Sequence, residues 1–126
     1  MLAGAVGIAA FAWLALFQLL LAGGAPLGQL AWGGAQRVLS ARRRMASLAV
    51  VPLAVLGAIA LGQASGLLGP LLSPRLVPWL LWGFTGLFVL SLLGNLATSS
   101  RLERLHGVPL TMIIAGSSFW LAIFGA

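Results

Sequence analysis

The sequence predicts an all-α protein, a transmembrane bundle of four helices with a short interfacial or re-entrant segment between helices 1 and 2. Two observations predict it. The 126 residues are 61% hydrophobic and only 6% charged, with a mean hydropathy of +1.12. A soluble domain carries roughly 25% charged residues, so lipid is the solvent for most of this chain. The second observation is that every charged side chain lies in three connections, between four apolar runs each about the length that crosses a bilayer. The length allows one domain, residues 1–126. There is no cysteine, which excludes disulfides, thiol catalysis and thiolate metal sites.

The first predicted span covers residues 2–22. It holds no charge and one strongly polar residue, Gln18. A helix of ~20 residues rises roughly 30 Å, the thickness of the hydrocarbon core. Small residues follow at Ala22, Gly23 and Gly24. A cleaved signal needs a basic start and an apolar run of only about 7–15 residues. The first run has neither, so a retained span is expected.

Connection one, residues 23–44, holds four of the seven arginines. Pro26 suits the first turn of a short helix. Leu27, Leu30, Ala31 and Trp32 then give it an apolar side, with Trp32 as an interfacial anchor, and Gly33-Gly34 ends it. Ser40 is the expected N-cap of the second span. Arg42, Arg43 and Arg44 fall in a first helical turn, where the macrodipole disfavours cations by ~0.3–1 kcal/mol each. Something must outweigh that cost, and anionic lipid head groups are the expected partner.

The second span is predicted at residues 45–63. It contains Pro52, which a membrane helix tolerates when neighbours re-satisfy the freed carbonyl. Gly57 and Gly62 permit close helix contact. Connection two, residues 64–78, is rich in proline and leucine and carries Arg75 alone. The third span, residues 78–98, opens with Trp79 and Trp82, as an interfacial aromatic belt does. Ser91, Asn95 and Thr98 share one face of it. A polar hinge, residues 99–106, carries Arg101, Glu103, Arg104 and His106. The fourth span, residues 107–124, has Pro109 in its first turn and a stripe of small residues at Gly107, Thr111 and Ser118.

Connections one and three share one side of the membrane. They hold Arg37, Arg42, Arg43, Arg44, Arg101 and Arg104, while the opposite side holds Arg75. The positive-inside rule places the first side in the cytoplasm and both termini outside. Gln18, Ser47, Ser91, Asn95, Thr98 and Thr111 then gather in the cytoplasmic half of the bundle. Burying an unpaired amide costs a few kcal/mol, so Asn95 is expected to face other helices.

Glu103 is the sole acidic residue, and a salt bridge at the inner interface is its expected role. One His and one Glu supply too few ligands for a metal site. No nucleophile constellation accompanies Glu103 and His106, so no enzyme and no cofactor are expected. The glycines of connection one match neither a P-loop nor a dinucleotide fingerprint. Few basic residues are present and they lie at the membrane surface, so no nucleic acid is expected. The candidate polar cluster at the cytoplasmic mouth is Trp32, Gln36, Arg37, Asn95, Arg101, Glu103 and Arg104.

The segments AGGAPLGQLAWGGAQRVLSARRRMAS and NLATSSRLERLHGVPLTM resemble two blocks of a family of small four-span bacterial integral membrane proteins. The matching residues are Gly24-Ala25-Pro26, Gly28, Trp32-Gly33-Gly34, Arg37-Val38-Leu39, Glu103-Arg104 and Pro109. The resemblance covers the span pattern of the whole chain and about a third of it in specific residues. It implies an inner-membrane architecture and no mechanism. Small multidrug transporters are similar in size, but their first span carries a glutamate that this one lacks. Fluoride channels share a glycine-rich opening with arginine, but their threonine- and phenylalanine-rich break in the third span is missing.

The expected function is a non-enzymatic module that binds a lipid or small molecule, or an accessory subunit of a larger membrane complex. The alternative is a small oligomeric transporter or channel.

Overall fold

The computed structural model describes residues 1–34 and 36–125. It contains four α-helices, α1 (Leu2–Ala22), α2 (Ala41–Ala64), α3 (Leu76–Ala97) and α4 (Arg101–Phe124), with no strand among the described residues. All four are long and apolar enough to cross a membrane, the pattern of a multi-pass membrane protein. α1 packs along α2, α3 packs along α4, and α1 also lies against α4, whereas α2 and α3 touch sparsely.

Close contact between α1 and α2 rests on missing side chains. In lipid, burying leucine against leucine gains little, so helix pairing depends on intimate van der Waals contact. Gly57 of α2 gives its space to the Phe11 ring, which a Cβ there would overlap. Phe11 is fully buried and meets Phe84 and Phe88 of α3 edge-on, with ring centroids 5.3 and 5.5 Å apart. Edge-to-face geometry sets the positive rim of one ring against the negative face of the next. One aromatic side chain thus joins three helices. Gly7 does the same on a smaller scale, admitting Leu61 of α2 and Ser117 of α4.

Connection two is shorter than predicted, residues 65–75, and is tied back by Gln63. The Gln63 side chain accepts from the Leu72 N–H and donates to the Leu72 carbonyl, both at 2.8 Å. This two-point clamp satisfies a loop peptide that would otherwise face the membrane surface unpaired.

Several expectations about helix ends are corrected. α2 begins at Ala41 rather than residue 45, and the Ser40 hydroxyl makes no capping bond. Instead Gln36 Oε1 accepts from the Ser40 N–H at 3.1 Å. α4 begins at Arg101, so the predicted hinge is helical almost throughout. Its cause is Ser100, whose hydroxyl accepts from the Glu103 N–H at 3.2 Å as an N-cap. Pro109 therefore lies inside α4, not in its first turn, and denies the Leu105 carbonyl its helical partner. Between α1 and α2 the predicted single short helix is replaced by two 3-10 turns, Gly28–Leu30 and Trp32–Gly34.

Replacing Gly57 with valine drives two methyl groups into the Phe11 ring. We expect a loss of about 1–3 kcal/mol, the usual cost of overpacking. A thermal unfolding midpoint in detergent that matches the unmodified chain would contradict the Phe11 arrangement.

Candidate functional site

Connection one folds back onto the bundle. Leu39 is buried beside Phe17 and Leu21 of α1, with Leu27, Leu30 and Ala31 packed around it. The Gly28 N–H donates to the Arg37 carbonyl at 2.8 Å, closing the segment on itself. The Ser100 hydroxyl donates to the Gln29 carbonyl at 3.3 Å, fastening the segment to the start of α4. Gly34 sits there at φ +74°, and a side chain in its place would overlap Ser100. Only glycine reaches that conformation without a steric penalty.

The first turn of α2 completes the fastening. Arg44 Nε donates to the Ala22 carbonyl at 2.9 Å, and Arg43 Nη1 to the Trp32 carbonyl at 3.2 Å. Trp32 has φ +52°, which costs a bulky residue on the order of 1–3 kcal/mol. Its indole N–H donates to the buried Ser47 hydroxyl of α2 at 3.0 Å. The residue is therefore held by carbonyl and side chain together.

Beneath this segment lies a cavity of about 570 Å³. α1 contributes Leu14, Phe17 and Gln18, and connection one contributes Leu30, Ala31 and Trp32. α2 contributes Val50 and Leu53, and α3 contributes Leu87, Phe88, Ser91, Gly94 and Asn95. α4 supplies Glu103, His106, Gly107, Leu110 and Thr111. Ligand cavities are mostly apolar with a few convergent polar groups, and this one fits that description in size and lining.

Several of its polar groups are already engaged. The Ser91 hydroxyl donates to the Leu87 carbonyl at 3.0 Å, and the Thr111 hydroxyl to the Gly107 carbonyl at 2.7 Å. Both bonds stay within their own helix, as serine and threonine commonly do in apolar surroundings. His106 Nε2 accepts from the Trp13 indole N–H at 2.8 Å. An accepting Nε2 assigns the imidazole proton to Nδ1 in a neutral ring. The Phe17 ring lies 4.3 Å from the imidazole, centroid to centroid. Asn95 lays its amide on Gly107, where a Cβ would overlap it. Gln18 is nine-tenths buried, and its Oε1 has no hydrogen-bond donor among the described residues. Glu103 is buried at the same end of the cavity.

Of the seven residues predicted for the polar cluster, Trp32, Asn95 and Glu103 come together on the cavity wall. Arg37, Arg101 and Arg104 are exposed outside it, and Gln36 serves the start of α2. Arg42 is exposed, while Arg43 and Arg44 each place a donor on a carbonyl of the chain itself. Gln18, Ser91 and Thr111, read from sequence only as polar groups of one bundle half, line the cavity. His106 as a wall residue, and its bond to Trp13, were missed. Trp13 and His106 are 93 residues apart and carry no sequence signal of pairing. No group of three or more His, Cys, Asp or Glu that could hold a metal occurs among the described residues. Comparisons with protein-family models, curated proteins and solved structures gave no match.

Gly34→Ala introduces both a disfavoured φ and an overlap with Ser100. We expect it to loosen connection one by about 1 kcal/mol or more. Trypsin cleavage after the exposed Arg37 should then accelerate several-fold under native conditions, and an unchanged rate would show that Gly34 does not hold the segment.

Proposed function

We propose that this protein is a non-enzymatic module of the bacterial inner membrane that binds a small amphipathic molecule in the cavity beneath connection one. The observation that carries this reading is the cavity itself, a chamber of about 570 Å³ roofed by a segment that is fastened at Leu39, Ser100, Arg43 and Arg44. A left-handed tryptophan that is costly to hold and lines the chamber fits a built binding wall better than a passive linker. A roof packed across one end favours holding a molecule over passing it. The arginine bias favours the cytoplasm for that end, with both termini outside and anionic head groups around the exposed Arg37, Arg42, Arg101 and Arg104.

Two measurements test this. The fluorescent probe 1-aminoanthracene, titrated into the full chain in lipid nanodiscs, should bind saturably at one site per chain. Leu110→Trp, which puts an indole into the chamber, should weaken that binding at least ten-fold. Absent saturation, or an unaffected affinity, would overturn the reading. Orientation is tested separately, because the chain has no cysteine of its own. In intact cells a membrane-impermeant maleimide should label Ser73→Cys in connection two and spare Val38→Cys in connection one. The reverse pattern would invert the topology.

A further inference from the structure

The cavity has a polar end and an apolar end. α1 and α3 run toward connection one, and α2 and α4 run away from it. Gln18, Asn95, Glu103 and His106 therefore line the end nearest the roof. Leu14, Leu53, Leu87 and Leu110 lie deeper. Asn95 and Leu87 are eight positions apart in α3, about 12 Å along a helix axis. The chamber matches an amphiphile with a small head and a tail of several carbons.

Its wall between α2 and α3 is sparsely packed. Leu53 of α2 and Leu87 of α3 both line the chamber and are both exposed, at 37% and 42%. They flank the line between α2 and α3, two helices that touch sparsely. Both residues lie within the apolar length of their helices. Leu30, Ala31 and Trp32 roof the chamber at its aqueous end. Access between α2 and α3 selects for molecules that already partition into the bilayer.

The head chemistry follows from one buried acceptor, Gln18 Oε1, beside three donors that are already used. The hydroxyls of Ser91 and Thr111 and the indole N–H of Trp32 all donate within the chain. Gln18 Oε1 is a buried acceptor without a donor among the described residues. Leaving such an atom unpaired is costly, and a ligand that supplies the donor recovers that cost. Gln18 lines the chamber, and the terminal torsion of glutamine is soft, so rotating the amide to present Oε1 to a ligand leaves its other torsions in place.

Resting on the binding function proposed above, we infer that the ligand is a bilayer-borne amphiphile with a hydroxyl head. It enters between α2 and α3 and donates its hydroxyl to Gln18. No covalent step is involved.

The test compares 4-hexylphenol with its methyl ether, 4-hexylanisole, as competitors of 1-aminoanthracene on the full chain in nanodiscs. The two probes share ring and tail and differ at the head, where a methyl group replaces the hydroxyl proton. On the unmodified chain the phenol should displace the dye at a concentration at least ten-fold lower than the ether. Gln18→Leu should bring the two to parity. Leu87→Trp, which narrows the gap, should slow dye association several-fold, and an unchanged rate would overturn side access. Equal displacement by phenol and ether, or displacement by neither, would overturn the hydroxyl head while the binding function stands. Failure of the dye itself to bind would remove the binding function first. The phenol-to-ether ratio needs no variant, so it decides the head chemistry even if Gln18→Leu does not fold.

Discussion

The seating of Leu39 between Phe17 and Leu21 is the contact on which the rest of this architecture depends. A connection of this length between two membrane helices has many ways to lie on the surface, and chain entropy favours most of them. Leu39 limits them by burying a branched side chain at the far end of the segment. Gly28 then pairs with Arg37, and the two 3-10 turns have one direction to run, across the bundle toward Ser100. Trp32 reaches Ser47 only because of that course. Without the anchor the chamber would be an open notch between helices.

Small residues divide the four helices into tight and loose contacts. Gly57 and Gly7 let α1 and α2 approach until Phe11 is enclosed. Gly107 gives α4 the space that the Asn95 amide takes from α3. α2 and α3 instead bring Val50, Leu53 and Leu87 to the cavity wall, where the two helices touch sparsely. Larger side chains hold helix axes apart, and a gap bounded by leucines remains compatible with lipid on its outer side. Close packing at one interface and separation at another are two outcomes of the same rule, that helix contact in a membrane depends on shape rather than on water exclusion.

The spans were legible because their signal is long and one-dimensional. α1 has the predicted bounds, and the other three helices fall where apolar runs were read. Their ends were less legible, because each is decided by one local hydrogen bond. Ser100 followed by Glu103 three residues later is a capping signature, and it lay hidden inside a stretch read as a hinge on its charge. The site was legible in part for a related reason. Asn95 and Glu103 stand out as polar groups with few alternatives near apolar helices. Arg37, Arg101 and Arg104 stand out equally by charge, yet a guanidinium at a helix end reaches water at little cost and does so here. Trp32 looked like a surface anchor because nothing in its neighbours announces a left-handed backbone at a tryptophan. The Trp13–His106 bond joins distant positions whose meeting depends on how α1 lies against α4.

The arginines that open α2 show how placement outweighs a local penalty. Positive charge at a helix N-terminus opposes the macrodipole, which carries about half an elementary charge there. Arg44 escapes by crossing to the C-terminus of α1, where the same dipole has the opposite sign and the Ala22 carbonyl is left unbonded by helix geometry. One charge-assisted bond is worth about 1.5–3 kcal/mol, more than the dipole cost it offsets. Arg43 repeats the move on Trp32, where its target is the carbonyl of the strained residue. Each guanidinium keeps further donors, since five are available and the observed bonds use one apiece. The same two side chains can therefore fasten the roof from within and meet phosphate from without, so a residue set read as lipid-facing also determines whether the chamber has a lid.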